Sequence, residues 1–268
     1  MDAWKHVHVG TIGFSYPQWE GKFYPAGMAR GDFLAAYARV FDTVELDTTF
    51  YGTPPRSRVE GWVKQVPEGF WFCPKTPRQI THEMPLSEAG GAMRAFVSSL
   101  EPMREAGKLG AVLIQFPPAV TQWSAAKVER FLAGLPRGVR YAVEVRNQSW
   151  VVPATAEMMR RCGVAWVAAD YSRKNWPLEV TADFVYLRCV GSREDYELLG
   201  VEQTDPTLRL QNWVTELSQK AGGIEVMGLF ADDFAGYGPA TANRFRRLVG
   251  LGGLEAVPPP VPEQGSLF

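Results

Sequence analysis

Two carboxylates, those of Glu45 and Asp47, lie two residues apart in a segment that also carries the apolar residues Val44 and Leu46. In a β-strand, residues i and i+2 point to the same face, so the two acids emerge together, opposite the apolar pair. Burying an unpaired charge is costly. We therefore expect other segments to bring polar partners to this strand, and we take Glu45 as the first catalytic candidate.

Charged or amide side chains end most of the other apolar segments as well. They are Lys75, Gln115, Glu144, Arg146, Asp170, Arg188 and Asp232. A carboxylate beside another can act as a general acid or base, which predicts catalytic roles for Glu45 and Glu144. Arginine binds carboxylate or phosphate through two parallel hydrogen bonds. The pattern favours a hydrolase or lyase for a phosphate-, sugar- or nucleic-acid-like substrate, with Asp47 and the other polar residues binding it. The alternative is that these acids and bases only neutralise one another.

Lys75 and His82 complete the predicted catalytic set. Lys75 suits an electrophile, a phosphate ligand or a Schiff-base amine, and a paired structural lysine is the alternative. His82 suits a proton shuttle, and a plain hydrogen-bonding role is the alternative. Aromatic residues in the predicted loops are candidates for stacking a sugar or base in the binding site, or for packing as a lid: Tyr16, Trp19, Tyr24, Tyr51 and Trp150.

Oxygen ligands for Mg²⁺ or Mn²⁺ are available at Glu45, Glu144, Asp170 and Asp232. A zinc cluster normally draws on several His or Cys residues, and the three cysteines form no Cys-x-x-Cys pair. The sequence also lacks the glycine-rich motifs of nucleotide cofactor sites. We therefore predict no metal and no cofactor, with a divalent metal as the alternative.

Eight short apolar segments alternate with helical patterns. The predicted strands are 7–13, 44–51, 70–75, 110–116, 141–146, 164–170, 184–189 and 225–230; the predicted helices are 32–41, 56–65, 91–105, 124–133, 153–162, 206–221 and 239–249. The connection 171–183 is too short for a full helix. Buried strands separated by helices indicate a parallel sheet, and eight such units in this length predict a TIM (β/α)8 barrel. A doubly wound open sheet is the alternative. In a barrel, the polar residues above meet at the rim, meaning the carboxyl ends of the parallel strands.

Composition narrows the class of protein. The 268 residues carry a net charge of −1, so no global field attracts nucleic acid or an anionic membrane. No segment approaches the roughly 20 apolar residues of a membrane span, and the N-terminus lacks the apolar core of a signal peptide. We expect a cytoplasmic protein with one barrel domain over residues 1–252. Residues 253–268 are proline-rich and predict an extended tail.

Several stretches together resemble the family called domain of unknown function 72, the YecE-like proteins. They include Gly10-Thr11-Ile12-Gly13-Phe14-Ser15-Tyr16, Thr49-Phe50-Tyr51, Thr81-His82-Glu83, Gln115-Phe116-Pro117-Pro118 and Glu144-Val145-Arg146. The resemblance implies a TIM barrel with a pocket at the rim and no established reaction. Two departures stand out: Phe230-Ala231-Asp232 replaces the family's Phe-Asn-Asn, and Asn147 stands where His is common.

The last five residues, Gln264-Gly265-Ser266-Leu267-Phe268, resemble the short peptide that binds the bacterial DNA sliding clamp. An exposed linker that presents Leu267 and Phe268 to an apolar groove, with Gln264 beside them, fits such a partner. Besides the enzyme hypothesis, two alternative functions are therefore considered. One is a nucleic-acid-binding DNA-maintenance factor recruited to the clamp, and the other is a non-catalytic small-molecule binder.

Overall fold

The computed structural model describes residues 6–171, 174–196 and 199–254, and it shows a mixed α/β fold with a large, mostly parallel sheet. The strands are β1 (Val7–Ile12), β2 (Thr43–Leu46), β3 (Trp71–Pro74), β4 (Val112–Gln115), β5 (Tyr141–Glu144), β6 (Ala165–Trp166), β7 (Ala168–Asp170), β8 (Asn175–Trp176), β9 (Phe184–Cys189) and β10 (Glu225–Phe230). The helices are α1 (Phe33–Tyr37), α2 (Arg56–Gln65), α3 (Ala89–Ser99), α4 (Glu101–Glu105), α5 (Ala125–Ala133), α6 (Pro153–Cys162), α7 (Thr207–Lys220) and α8 (Gly238–Leu248).

The strands form two sheets. Seven of them follow the order β3-β2-β1-β10-β9-β7-β8, and three follow the order β4-β5-β6. Every pairing is parallel except that of β7 with β8. The carboxyl ends of neighbouring parallel strands lie at the same edge of a sheet, so the strand ends that carry the predicted site residues come together at the rim.

Two junctions link the sheets. Strands β6 and β7 are separated only by Val167, whose N–H donates to the carbonyl of Val143 at 3.0 Å. At the other side, β3 and β4 meet through isolated parallel bridges, including the one between Lys75 and Leu113. The predicted strand 164–170 is therefore divided, because its first half pairs with β5 and its second half with β9. Closure of the strands into a full TIM barrel stays a prediction.

Buried apolar side chains hold the helices against the strands. All four residues of β4 are buried, as expected of a strand covered on both faces. Helix α5 buries Val128, Phe131 and Leu132, which share one face at helical spacing. Gly10 allows β1 and β2 to approach closely, because a Cβ atom there would lie 1.8 Å from the carbonyl oxygen of Thr43.

The predicted helices 56–65 and 153–162 are confirmed as α2 and α6. The single predicted helix 91–105 is wrong, since α3 ends before Pro102, which has no N–H to continue the helix and instead lies in the first turn of α4. The predicted helix 32–41 is shorter in the structure, where α1 has five residues and Asp32 forms no capping side-chain bond. Among the described residues between β7 and β9 there is no helix, as predicted, and β8 lies there instead.

The predicted clamp-binding residues Gln264, Leu267 and Phe268 lie outside the described residues, as does nearly all of the predicted tail. Within the described ranges, none of the helices combines the length and apolar character that a bilayer crossing requires.

Candidate active site

Strands β2 and β9 place Glu45 and Arg188 against each other in the protein interior. Arg188 Nε donates to Glu45 Oε2 at 2.8 Å, and Arg188 Nη2 donates to Glu45 Oε1 at 2.7 Å. Tyr186 precedes Arg188 by two residues, so both point to the same face of β9. Its hydroxyl donates to Glu45 Oε2 at 3.0 Å. Both oxygens of Glu45 are therefore occupied by donors.

Arg188 also reaches a second glutamate, at the end of β5. Its Nη1 donates to Glu144 Oε2. The other oxygen of Glu144 accepts from Gln115 Nε2 at 2.9 Å and from the Tyr171 hydroxyl. Gln115 and Glu144 face each other because they are register partners on β4 and β5. Glu144 too has both oxygens occupied.

Within the Glu45–Arg188–Glu144 cluster, Glu144 and Arg188 stay charged although they are buried. Both glutamates are fully buried and Arg188 is 3% exposed. Burial alone would raise the pKa of Glu144, but the charge of Arg188 and the bonds from Tyr171 and Gln115 lower it below the ordinary value. Burial alone would lower the pKa of Arg188, but the two glutamates hold it well above its ordinary range. One guanidinium with its fork of donors thus binds two carboxylates.

Lys75 lies beside this cluster without joining it. It follows β3, and its backbone N–H donates to the carbonyl of Leu46 at 3.1 Å. Its Nζ lies 4.3 Å from the centre of the Phe50 ring and forms no hydrogen bond or salt bridge within the described residues. Burial and the neighbouring charge of Arg188 lower the pKa of Lys75, against the opposing effect of Glu45 and Glu144. Lys75 is an amine available for a ligand.

Asp47 does not share the buried position of Glu45. It begins the 3-10 turn Asp47–Tyr51, directly after β2, and is half-buried. Burial and the nearby charge of Glu45 raise the pKa of Asp47, while Lys75 and Arg188 oppose the rise. Burial, and next the charge of Asp47, raise the pKa of Tyr16, whose hydroxyl donates to the carbonyl of Ile12 at 2.6 Å. The pKa of Asp47 is therefore shifted in the direction that favours a general acid.

His82 and Arg146 add basic groups around Lys75. His82 lies in a single π-helical turn, Gln79–Glu83, with its ring 5.2 Å from that of Phe50. Burial and the charges of Lys75, Arg78 and Arg146 lower its pKa, so the imidazole is neutral at pH 7. The guanidinium of the exposed Arg146 lies 5.0 Å from the Tyr171 ring centre. The accessible part of the site is thus basic, in contrast to the net charge of the chain.

Two predicted ligand-binding acids have partners of their own elsewhere. The Asp170 carboxylate accepts from Arg209 and from Trp213 Nε1 at 3.1 Å, both on α7. Asp232 accepts from Trp19 Nε1 at 2.9 Å and from the Gly238 N–H at 2.7 Å, which fastens the loop after β1 to the end of β10. Their substrate-binding roles stay predictions.

The predicted aromatic residues differ in exposure. Trp19, Tyr24 and Trp150 are almost completely buried, and they pack in the core rather than offering open ring faces. Tyr16 is half-buried, and Tyr51 is 86% exposed. Of the five, Tyr51 and Tyr16 remain accessible to a ligand.

Three residues of the site were absent from the predicted set. Tyr186 alternates with Arg188 on β9, so the period of two along a strand was a usable signal for it. Phe50 and Tyr171 follow strands and contact Lys75 and Glu144 respectively. No spacing in the sequence marks Tyr171, because its role depends on how the chain turns after β7.

Cavities also lie away from this site, and one of them is lined by Asp170 and Arg209. A groove of about 510 Å³ between α3 and α5 is lined by basic and apolar residues, among them Arg94, Lys127 and Arg130, and by no carboxylate. In the part of the chain that the structure describes, no three His, Cys, Asp or Glu side chains are grouped to hold a metal ion. The prediction of a site without metal or cofactor stays a prediction.

The residues of the site lie within a span that a single family model matches. The model of the family described as "Protein of unknown function DUF72" matches residues 8–265. The chain belongs to the DUF72 family. Among curated relatives, the UPF0759 protein YunF of Bacillus subtilis is 33% identical over 156 residues, and the UPF0759 protein YecE of Escherichia coli is 28% identical over 158 residues. These alignments cover 55% and 59% of this chain and only 53% and 55% of the relatives, about half of their length.

Solved structures of DUF72 proteins share the fold. A DUF72 family protein from Thermotoga maritima is 27% identical, with a TM-score of 0.75 over 91% of this chain and 99% of that chain. Another from Enterococcus faecalis is 24% identical, with a TM-score of 0.72 over 92% of this chain and 98% of that chain. The family resemblance read from the sequence is therefore confirmed.

Proposed function

We propose that this DUF72 protein is an enzyme that acts on an anionic substrate by acid–base chemistry at the rim. The observation that carries the proposal is the unpaired amine of Lys75 beside two glutamates. A structural lysine in such a place would pair with a carboxylate. Arg188 instead binds both glutamates, so Lys75 is left to interact with something that the described part of the chain does not supply.

The accessible groups have complementary roles. The exposed Arg146 provides positive charge for a phosphate or carboxylate group of the substrate, and the Lys75 amine can donate hydrogen bonds to it. Asp47, with its raised pKa, supplies a proton, and neutral His82 accepts one. The pKa of Asp47 and that of Lys75 both shift towards neutral pH, which favours catalysis over binding alone. The reaction class that fits is a hydrolase or lyase for a phosphate-, sugar- or nucleic-acid-like substrate.

Glu45 and Glu144 act in this proposal as positioning residues rather than as proton-transfer groups. Each carboxylate accepts hydrogen bonds on both oxygens and has no exposed surface. A proton transferred to either would break its pairing with Arg188 inside the protein, which is costly. Their function is to hold Arg188 in place and to leave Lys75 without a partner.

A second proposal concerns the fold and how the two sheets meet around the site. We infer that the two sheets close into one (β/α)8 barrel, with the site at its mouth. The single residue between β6 and β7 and the bridge from Lys75 to Leu113 support closure at both junctions. A crystal structure with β3 and β4 paired along their length, and with β6 continuous with β7, would establish it.

Phosphate binding tests the proposed function. We expect calorimetry with inorganic phosphate to show binding that weakens with added salt and is reduced in Lys75→Met and Arg146→Met. The exposed Lys64 on α2 gives the matched control, and Lys64→Met should bind as the wild type does. Equal binding by all four proteins would contradict the proposal. A panel of phosphorylated sugars and short oligonucleotides then separates turnover from binding: binding with no turnover favours the non-catalytic alternative.

The clamp partner is a separate proposal that concerns the tail. It rests on the sequence Gln264-Gly265-Ser266-Leu267-Phe268 alone. Replacing Leu267 and Phe268 by alanine should abolish capture of the chain by a purified sliding clamp, because the motif binds through these two side chains. Undiminished capture would dismiss this partner without bearing on the chemistry at the rim.

A further inference from the structure

We propose that Lys75 forms an imine, through its Nζ, with the carbonyl carbon of an anionic aldehyde or ketone bound at the rim. The inference rests on the proposed function and narrows its substrate class to carbonyl compounds that carry a phosphate or carboxylate group. It also narrows the reaction class to lyase chemistry, since an imine withdraws electrons from the neighbouring carbon atoms.

The backbone of Lys75 is fixed on three sides. Its N–H donates to the Leu46 carbonyl at 3.1 Å, and its carbonyl accepts from the Thr49 hydroxyl at 2.7 Å. Lys75 is also bridged to Leu113 of β4. The side chain therefore starts from a rigid position at the end of a strand, as a covalent catalytic group requires.

The amine ends in surroundings that disfavour its charged form. The Phe50 ring covers it at 4.3 Å, and the Arg188 guanidinium is a neighbouring positive charge. Burial and the charge of Arg188 lower the pKa of Lys75, against the opposing charges of the nearby carboxylates. A lysine next to another cation in a desolvated site is an activated amine nucleophile.

Lys108 shows what a structural lysine of this protein looks like. It is buried, and its Nζ donates to the carbonyls of Val63 and Val66 at 2.9 and 2.7 Å. Those bonds hold the ammonium group and leave it no freedom to react. Lys75 has no such bonds within the described residues. The contrast separates a reactive lysine from a structural one in the same chain.

The step balances with groups at the rim. The neutral amine attacks the carbonyl carbon, the C–N bond forms, and the electron pair of the C=O bond moves to oxygen. A proton passes from nitrogen to that oxygen to give a carbinolamine. Protonated Asp47 then donates a second proton, the C–O bond breaks, and water leaves. An iminium remains on Lys75, and Asp47 is left as a carboxylate whose charge stabilises it.

Reductive trapping tests the proposal. The probe is pyridoxal 5′-phosphate, an aldehyde that carries a phosphate, added at pH 7 and followed by borohydride and peptide mapping. We expect about tenfold more label on Lys75 than on the exposed Lys64, because desolvation and a neighbouring cation activate the amine. Lys108 should stay unlabelled, and Lys75→Arg should lose the main site while remaining folded by circular dichroism. Label spread evenly over the exposed lysines, or absent from Lys75, would overturn the proposal.

Competition separates this inference from the proposed function. Inorganic phosphate should reduce the labelling of Lys75 but not that of Lys64, and Arg146→Met should reduce it likewise. If phosphate binds at the rim and Lys75 still fails to label, imine formation is refuted while the anion site stands. If phosphate does not bind and Lys75 is not labelled, both proposals fail.

Discussion

Replacing Arg188 by methionine should destabilise the protein strongly and in a way that depends on pH. The substitution keeps most of the volume and leaves Glu45 and Glu144 fully buried without their shared cation. Removing one partner of a buried ion pair costs about 3–5 kcal/mol. A second estimate gives a similar cost. A buried glutamate without its cation can take up a proton, and protonating a group with an ordinary pKa of about 4.3 at pH 7 costs about 3.7 kcal/mol.

The pH dependence distinguishes this cause from lost packing. In the folded variant a buried glutamate is protonated, whereas in the unfolded chain it is ionised at pH 7. Because the folded state then binds more protons than the unfolded state, the variant gains stability as the pH falls. Between pH 7 and pH 5 the deficit of Arg188→Met should shrink by about 2–3 kcal/mol.

Urea denaturation at the two pH values measures the deficit of Arg188→Met. Arg56 is the matched control, since it also bonds two carboxylates, Glu60 and Glu105, but is exposed. Arg56→Met should cost about 0–1 kcal/mol. A deficit for Arg188→Met as small as that of the control, or one independent of pH, would refute the reasoning. If Arg188→Met is unfolded at pH 7, we expect it to regain the folded state at pH 5, for the same reason.

Three further predictions concern single contacts of the site and its frame. Tyr171→Phe removes a donor to the charged Glu144, so it should lower the unfolding free energy by about 1.5–3 kcal/mol in urea and raise the pKa of Glu144, measured by carboxyl NMR. Lys75→Met should leave the unfolding free energy at pH 7 unchanged or raise it. The lowered pKa of Lys75 means that the folded state disfavours the ammonium charge, which methionine lacks. A clear loss of stability in that variant would indicate a structural lysine. Trp19→Phe removes a buried donor to Asp232 and should cost about 1–3 kcal/mol, read from the shift in the thermal midpoint.

The meeting of polar groups at the rim was predictable from the sequence, but the choice of partners was not. Glu45, Glu144 and Arg188 each end an apolar segment, and parallel strands bring such ends together. Which carboxylate Arg188 would bind depends on strand order and on side-chain reach, neither of which is local. Arg188 was therefore expected to hold substrate, whereas it holds both predicted catalytic glutamates.

The same limit applies to the fold. Strong apolar periodicity identified β10 with its exact bounds, and α2 and α6 as well. The division of 164–170 at Val167 arises because two different strands pair with its halves, which no local pattern records. Likewise the loop residue Trp19 is buried because a distant carboxylate, that of Asp232, accepts its N–H.

The pKa of Lys75, measured by NMR, tests most directly the claim that Arg188 leaves it as the reactive group of the site. The protein is labelled with ¹³C at lysine Cε, and the Lys75 resonance is assigned with Lys75→Arg. We expect a pKa below that of the exposed lysines, because burial and the charge of Arg188 disfavour the ammonium form. We also expect the pKa of Lys75 to rise in Arg188→Met, because the neighbouring positive charge that lowers it is removed. A Lys75 resonance that titrates with the exposed lysines in both proteins would contradict the account.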